Sequence, residues 1–388
     1  MGGWLILQIA GIICEYNPLH KGHEKQLTLA KSLLGQDSAV VCLMSGNFVQ
    51  RGYPAIVDKS LRARAAVACG ADLVLELPIT ACLSSAEGFA ARGVEILSRL
   101  CTHLCFGAET AQLEEIMETA KVLNSPAFSP VLREYLQKGL SFPAARQGAL
   151  EALGASADLL TKPNNILGVE YCKAILAQNS SLIPLPIHRP GDYHAAAPHP
   201  ENPSATALRL RMESGGDWQP FVPEKAREIL AQGRLHTRAS GEKAMLYRLR
   251  TMTEEEFAAL PYGSEGLWRK LMHAARREST LEEILTAVKS KRYTRSRLDR
   301  MVMCAFLGLT EETLSQSVPY VRVLAFNETG RQILRQQKGN FPLCHAGEPI
   351  GHPYWGLETR AQDLYGLFAQ DGPEPPGLEK KRRIFYTP

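Results

Sequence analysis

Two histidines, His20 and His23, lie three residues apart in the stretch GIICEYNPLHKGHEKQLTLAKSL, with Gly22 between them. An apolar segment precedes the pair, and an amphipathic helical pattern begins near Gly22. The N-terminus of a helix attracts anions because its first backbone N–H groups have no partner within the helix. Two imidazoles there could donate hydrogen bonds to a phosphate and stabilise the charge that grows during attack on its phosphorus. Gly22 would leave room for a nucleoside against the backbone.

The same pattern is also typical of a purely structural arrangement, in which one histidine caps the helix and the other lies on the surface. Short motifs match by chance, so the pair on its own favours that simpler interpretation. A zinc site is a third possibility, although no third ligand is obvious in the sequence.

A second segment about 180 residues later, SATALR, favours the phosphate interpretation. Ser204 or Thr206 can cap the helix that begins there, and Arg209 can hold two phosphate oxygens with its planar guanidinium. Alone, this segment is equally typical of an ordinary helix cap followed by a solvated arginine. The combination of the two segments indicates a nucleotide site.

The apolar pattern in the first half of the chain predicts the strands and helices that must position these residues. Short runs rich in Val, Ile and Leu alternate with helix-length segments such as Lys59–Cys69 and Ala86–Leu100. This alternation predicts an α/β domain with a doubly wound parallel sheet covered on both faces. The predicted strands are Leu5–Cys14, Ala39–Met44, Leu73–Leu77, Leu104–Phe106 and Leu182–Ile187.

A helical insertion is predicted near residues 110–180, before the last of these strands. Its helices are expected at Ala111–Leu123, Pro130–Lys138, Ala144–Leu153 and Asn165–Ala177. With 388 residues the chain is long enough for two domains or more. We place the boundary near Gly215, between a nucleotide-binding domain at 1–214 and a mainly helical, basic domain at 215–388. The second domain is expected to contain one late strand, Tyr320–Phe326.

In an open parallel sheet, ligands bind beyond the carboxyl ends of the strands. The segments that follow the predicted strands carry polar side chains beside glycines, which suits a nucleotide pocket. They contain His20, His23, Asn47, Gln50, Arg51, Gly107, Glu109 and Arg189. A turn-rich loop from His188 to Ser204, with four prolines and three histidines, has no assigned role.

Composition excludes several classes of protein. The formal net charge is only +4, so overall charge does not by itself indicate a nucleic-acid partner. The nine cysteines are scattered through apolar segments, which is typical of reduced, buried thiols. No run is apolar and long enough to span a bilayer, and the N-terminal segment lacks the features of a signal peptide. We therefore expect a cytoplasmic protein without a membrane contact.

Longer segments give a more specific resemblance. The His-x-Gly-His motif and the later SATALR segment resemble the nucleotidyltransferase superfamily. The segments GIICEYNPLHKGH, MSGNFVQRGYPAIVDKSLRARAAVACGADLVLELP, CFGAET, KPNNILGVEY, SATALR and SKRYTRSRLDRM, in this order, resemble the bacterial tRNA(Met) cytidine acetate ligase family. The resemblance covers nearly the whole chain. It implies an enzyme that activates acetate with ATP as acetyl-adenylate and transfers the acetyl group to N4 of wobble cytidine 34 in elongator tRNA(Met).

The resemblance also implies an ATP site at residues 13–26, Gly107, Arg189 and an asparagine. To these we add Ser204, Thr206 and Arg209 from the later segment. Either Asn164 or Asn165 would contact ATP, and we favour Asn165. His20 and His23 would be catalytic, Mg²⁺ would be carried by the ATP phosphates, and no protein metal site is expected. Arg51 or Lys59 could hold acetate or a phosphate, or be a surface charge. The predicted ATP-binding residues are Ile13, Cys14, Glu15, Tyr16, Asn17, Pro18, Leu19, His20, Lys21, Gly22, His23, Glu24, Lys25, Gln26, Gly107, Asn164, Asn165, Arg189, Ser204, Thr206 and Arg209.

The RNA would be held by the second half, where residues 289–300 contain six basic side chains and one acidic side chain. Such a cluster can neutralise phosphates while an aromatic ring stacks on a base. A solvated basic helix face is the alternative. The predicted tRNA contacts are Lys289, Lys291, Arg292, Tyr293 and Arg295. The basic tail Glu379–Arg383 is expected to be flexible.

Two other functions fit part of this pattern. A small-molecule adenylyltransferase would use the same histidines but would leave the basic half without a role. A tRNA-binding protein with a vestigial nucleotide site would use the basic half but not the phosphate motifs. No obligate protein partner is evident.

Overall fold

The computed structural model describes residues 8–35, 37–189, 203–337 and 342–388. The first residues of the predicted strand Leu5–Cys14, and residues 190–202 of the proline- and histidine-rich loop, lie outside this described part. Within it, no helix is both long enough and apolar enough to cross a membrane.

A mixed, mostly parallel sheet forms the centre of the molecule. Its strand order is β10-β8-β5-β2-β1-β6-β7, with β9 beside β8, and β5 and β8 are antiparallel neighbours while the other pairs are parallel. Strands β3 and β4 form a separate antiparallel ribbon. The bounds are β1 Ile9–Cys14, β2 Ala39–Ser45, β3 Phe48–Val49, β4 Tyr53–Pro54, β5 Leu73–Leu77, β6 His103–Ala108, β7 Ile183–His188, β8 Val321–Phe326, β9 Leu343–His345 and β10 Phe385–Tyr386.

Helices cover both faces of this sheet and build the second half of the chain. Their bounds are α1 Lys21–Leu34, α2 Lys59–Ala68, α3 Ile79–Cys82, α4 Ala86–Leu97, α5 Leu113–Asn124, α6 Phe128–Gln137, α7 Phe142–Ala152, α8 Pro163–Ala177, α9 Ala205–Glu213, α10 Glu224–Ala231, α11 Arg238–Thr251, α12 Glu254–Ala258, α13 Leu267–Ala275, α14 Leu281–Val288, α15 Arg295–Leu307, α16 Glu311–Ser315, α17 Glu328–Gln336 and α18 Pro353–Tyr365. The α/β prediction is confirmed.

The central strands are apolar along most of their length because each face of the sheet is buried. All seven residues of β2 are buried. Alternate residues point to opposite faces, so Val41 and Leu43 pack into one core with α4, while Val40 and Cys42 pack into another with α1. This two-sided burial explains why the strand sequences do not alternate between apolar and polar residues.

The late strand predicted at Tyr320–Phe326 exists as β8, and it adds to the same sheet as the N-terminal strands. A third core, formed mainly by α11 to α15 and α18, fills the second half. The division into two domains near Gly215 stays a prediction. Strands from before and after this residue belong to one sheet. The prediction of a flexible tail at Glu379–Arg383 is wrong, because Glu379 is fully buried and Arg382 forms an ion pair with Asp58.

Candidate active site

The candidate active site lies where the strand order changes direction. From β1 the sheet grows through β2 to one side and through β6 to the other. The loops that leave β1 and its neighbours therefore diverge and open a crevice at the carboxyl ends, which is where α/β sheets bind ligands. A cavity of about 170 Å³ occupies this position. It is lined by Ile13, Cys14, Glu15, Tyr16, Asn17, His20, His23, Gln26, Val49, Gln50, Arg51, Tyr53, Phe89, Phe106, Gly107, Asn164, Leu167, Tyr171, Arg189, Ala205 and Arg209.

His20 and His23 form a stacked pair on the wall of this cavity. Their ring centroids are 3.6 Å apart and the rings are nearly parallel, at 19°. His20 is the N-cap of α1, so the unpaired N–H groups of the helix lie beside the two rings. A Cβ atom added to Gly22 would lie 3.1 Å from Cε1 of His20. Gly22 therefore leaves the space that the His20 ring occupies, and its role in making room for a nucleoside stays a prediction.

Both imidazoles are neutral at physiological pH. Burial lowers the pKa of His20 to about 3, and the positive charges of Arg189 and Arg209 act in the same direction. The pKa of His23 is also well below its ordinary value, because of burial and the neighbouring His20 and Arg189. Neutral rings can still donate one N–H each, and they do not attract an anion by charge.

The hydrogen bonds of the pair identify one tautomer. The backbone N–H of His20 donates to Nδ1 of His23 over 3.3 Å, so the proton of the neutral His23 ring is on Nε2. Within the described residues, neither ring nitrogen of the buried His20 has a hydrogen-bond partner. A buried donor without a partner is costly, so His20 is suited to a ligand that supplies the missing hydrogen bond.

The loop between β1 and α1 is held from below by Arg62, which is fully buried. Its guanidinium donates to the carbonyl oxygens of Glu15, Ser45 and Gly46, and its Nε donates to that of Val57 at 2.8 Å. The carbonyls of Glu15, Ser45 and Gly46 lie at the ends of the neighbouring strands β1 and β2, so this one side chain joins the two strand ends beside the cavity.

The second motif reaches the same cavity from α9. The Oγ of Ser204 accepts a hydrogen bond from the backbone of Ala207 and caps the helix, as one of the sequence alternatives proposed. Arg209 donates to the carbonyl oxygen of Asn17 at 2.8 Å and to Oγ1 of Thr206 at 3.1 Å. Two segments about 190 residues apart in sequence are thereby joined at the cavity.

The structure distinguishes the two asparagines. Asn164 lines the cavity, and its Nδ2 donates to Glu109 at 2.8 Å. Asn165 is buried away from the cavity, where its amide exchanges hydrogen bonds with Thr110. Asn164 is therefore the asparagine placed to touch a ligand, although the sequence favoured Asn165.

The remaining predicted ATP-site residues surround the cavity or lie behind it. Leu19 is fully buried in the core, and Lys25 is exposed on α1. The residues predicted from the sequence that do not line the cavity are Pro18, Leu19, Lys21, Gly22, Glu24, Lys25, Asn165, Ser204 and Thr206.

Sequence reasoning missed the apolar wall of the cavity. This wall is made by Phe89, Phe106, Leu167 and Tyr171, with Val49, Tyr53 and Ala205 at other sides. A signal for part of it was available, since residues 164, 167 and 171 recur at the spacing of one helix face. Phe106 also immediately precedes the predicted contact Gly107.

The two cations considered for acetate or phosphate lie in different places. Arg51 lines the cavity. Lys59 is buried at the start of α2, where its ammonium lies 2.7 Å from Glu76 and 3.0 Å from Glu379. Lys59 is thus not a surface charge, and it does not line the candidate active-site cavity.

The predicted RNA contacts divide into exposed and internal residues. Lys289, Lys291 and Arg292 are exposed. Arg295 is paired with Glu282 at 2.6 Å and with Asp299. Tyr293 is only 3% exposed, and this corrects the expectation that its ring stacks on a base, because the ring is covered by protein. That any of these residues touches tRNA stays a prediction.

Across the described ranges, no group of three or more His, Cys, Asp and Glu side chains is arranged to hold a metal ion. Glu15 is the one carboxylate among the residues that line the cavity, and its Oε1 accepts the backbone N–H of Gln50 at 3.0 Å.

Comparisons with known proteins agree with this geometry. The family model described as HIGH Nucleotidyl Transferase matches residues 7–376. The tRNA(Met) cytidine acetate ligase of Clostridium novyi is 37% identical over 352 residues, covering 86% of this chain and 88% of that protein. The enzyme of the same name from Clostridium acetobutylicum is 36% identical over 386 residues, covering 93% and 96%.

Solved structures extend the similarity to the whole fold. The crystal structure of apo Thermotoga maritima TmcAL has a TM-score of 0.90 at 28% identity and covers 98% of this chain and 99% of that one. A second TmcAL structure, bound with alpha-thio ATP, has a TM-score of 0.87 at 28% identity and covers 98% and 100%. The chain therefore belongs to the HIGH nucleotidyl transferase family and, within it, to the tRNA(Met) cytidine acetate ligases.

Proposed function

We propose that this protein activates acetate with ATP and acetylates N4 of the wobble cytidine of elongator tRNA(Met). The observation that carries the proposal is the stacked, neutral pair His20 and His23 at the start of α1, in a cavity that Arg189 and Arg209 also line. The family membership and the ATP-analogue complex of its Thermotoga relative support it.

In the proposed first step, an acetate oxygen attacks the α-phosphorus of ATP. The bond between this phosphorus and the oxygen bridging to the β-phosphate breaks, so acetyl-adenylate forms and pyrophosphate leaves. Nε2–H of His23, one N–H of His20 and the helix N–H groups would stabilise the charge on the α-phosphate oxygens. Because the imidazoles are neutral, they serve as hydrogen-bond donors and not as general acids.

Two anions must meet for this step, and the arginines offset their repulsion. Arg209 reaches the cavity from α9, and we assign it to the pyrophosphate. Arg51, which also lines the cavity, is assigned to acetate. The adenine is assigned to the apolar wall, where Phe106 and Tyr171 offer flat surfaces beside Gly107.

In the proposed second step, the N4 amine of cytidine attacks the acetyl carbonyl carbon. The bond from that carbon to the AMP oxygen breaks, N4 loses a proton and AMP is released. No covalent enzyme intermediate is needed. This agrees with Cys14, the cysteine that lines the cavity, because burial raises the pKa of its thiol well above the ordinary value and keeps it protonated.

Mg²⁺ is proposed to enter with ATP. Glu15 is the one carboxylate lining the cavity, which fits an ion held mainly by phosphate oxygens and water. The positive charge of this ion would offset the negative charge of the phosphates. The exposed residues Lys289, Lys291 and Arg292 are the proposed contacts to tRNA phosphates.

The test is incubation of the purified protein with ATP, labelled acetate and unmodified elongator tRNA(Met), followed by nucleoside analysis. We expect the label in N4-acetylcytidine and a requirement for both ATP and acetate. Label that stays in acetyl-adenylate or reaches only a small metabolite would refute the RNA substrate. Binding of tRNA without consumption of ATP would instead indicate a vestigial nucleotide site.

A further inference from the structure

A cleft between the helical insertion and the second half of the chain has no role in the chemistry above. It lies between the turn joining α6 to α7 and the loop before α13, and has a volume of about 240 Å³. It is lined by Leu136, Gly139, Leu140, Phe142, Ser264, Glu265, Arg292 and Arg297. We infer that this cleft binds an unstacked nucleotide of the tRNA, with Phe142 stacking on its base. The inference rests on the proposed function, since it names the place where that substrate is held.

The apolar side of the cleft is unusually open. Phe142 is 55% exposed, Leu140 is 42% exposed and Leu136 is 37% exposed. Burial of such side chains is favourable, so three of them on one surface indicate that a partner covers them. An exposed aromatic ring suits the flat face of a nucleobase, which stacks on it whatever the base.

The charges around the cleft favour a nucleic acid as that partner. Arg292 lies at the cleft with its side chain 63% exposed, next in sequence to the exposed Lys291. Lys138, two residues after Leu136 of the cleft, is also exposed. Among the residues that line the cleft, Glu265 is the one carboxylate, and it pairs with Arg292 at 2.6 Å. Cations around an aromatic ring are what a nucleotide, with its phosphate and base, requires.

The side of the cleft formed by Ser264 and Glu265 is held by hydrogen bonds. Arg297 donates to the carbonyl oxygen of Tyr262 at 2.7 Å and to Oγ of Ser264 at 2.9 Å. The hydroxyl of the buried Tyr293 donates to the carbonyl oxygen of Glu265 at 3.1 Å. Tyr293 therefore supports the cleft from behind, while Phe142 presents the ring that a base can reach.

Helix α15 contacts both the cleft and the ATP cavity. Arg297 on this helix lines the cleft. Two residues later, Asp299 accepts a hydrogen bond at 2.9 Å from the hydroxyl of Tyr53, which lines the ATP cavity. The cleft and the cavity therefore share one supporting helix.

The first test compares substitutions at Phe142 in the full-length protein, using an unmodified elongator tRNA(Met) transcript as the probe. Loss of one stacked base by alanine substitution weakens binding by roughly 5- to 150-fold. We expect that loss for Phe142→Ala, a similar loss for Phe142→Leu, and near-normal binding for Phe142→Trp. The control is Tyr247→Ala, which removes an aromatic ring that is 72% exposed elsewhere. Normal binding by Phe142→Leu would overturn the stacking role, and so would equal losses for Phe142→Ala and Tyr247→Ala.

The second test changes the charge in the opposite direction. Glu265→Gln removes the carboxylate that competes for Arg292, so tRNA should bind more tightly and with a steeper salt dependence. Unchanged or weaker binding by this variant would overturn the assignment of the cleft to RNA. Acetate-dependent exchange of pyrophosphate into ATP should remain at the wild-type rate in all these variants.

The proposed function and the assignment of the cleft to RNA can be refuted separately. If the wild-type protein makes no N4-acetylcytidine, the proposed function fails. If the wild-type protein makes it and the Phe142 and Glu265 variants bind tRNA normally, the assignment of the cleft alone fails.

Discussion

Replacement of His20 by asparagine should make the protein less sensitive to acid. His20 is 1% exposed and neither of its ring nitrogens has a hydrogen-bond partner among the described residues. The folded protein therefore resists protonation of this ring, and its pKa is lowered to about 3. Asparagine is a good N-cap and carries no titratable group, so it can replace His20 at the start of α1 without a charge at any pH.

The size of the effect follows from the pKa difference between the folded and unfolded states. The ring titrates near its ordinary pKa of about 6.5 in the unfolded chain, so below that value the unfolded state binds a proton that the folded state does not. The free energy of unfolding therefore falls as the pH falls from about 6.5 toward about 3. At about pH 5.5 the loss is about 1.4 kcal/mol, whereas at about pH 7.5 it is below about 0.1 kcal/mol.

The assay is urea denaturation of wild type and His20→Asn at these two pH values. The absolute cost of the substitution cancels when the two differences are subtracted, and the variant should gain about 1.3 kcal/mol relative to wild type on acidification. His273 is exposed on α13, so His273→Asn should leave the difference between variant and wild type constant. Parallel pH dependence of His20→Asn and wild type would refute the conclusion that His20 is buried as a neutral ring.

Three further results are expected. His23→Ala should abolish acetate-dependent exchange of labelled pyrophosphate into ATP, because it removes the Nε2–H donor; residual wild-type exchange would contradict the placement of the α-phosphate. Lys291→Ala should spare that exchange but reduce the salt slope of tRNA binding by about one in filter-binding titrations; an unaltered slope argues against a phosphate contact. Arg382→Met should lower the free energy of unfolding by about 3–5 kcal/mol in urea, because two carboxylates lose their buried cation; the control is the exposed Arg383→Met, and equal stability of the two variants would count against the network.

The strands and the histidine pair could be predicted because their signals are local. The strand Leu73–Leu77 has its predicted bounds, since a short run rich in Leu and Val lies there between Asp72 and Pro78. The strand-to-helix junction at His20 also follows from the residues around it. By contrast, β9 and β10 have three and two residues, and their pairing with β8 depends on the rest of the fold.

The surroundings of several candidate site residues depend on distant partners that the sequence does not reveal. Lys59 is buried because Glu379, 320 residues later, reaches its ammonium. Tyr293 is covered because its hydroxyl binds the carbonyl of Glu265. Asn164 and Asn165 are adjacent, and only the position of Glu109 and Thr110 determines which one turns away from the cavity. In each case a tertiary contact overrides the local pattern.

The position of β8 has a practical consequence for dissecting the protein. This strand covers the side of β5 that faces away from β2, and it comes from residues 321–326. A fragment cut near residue 215 would leave the backbone of β5 as an open edge, which invites strands of other molecules to pair with it. We therefore expect residues 1–214 and 215–388 to aggregate when they are expressed separately. Exchange of segments between relatives is better attempted at the helical insertion.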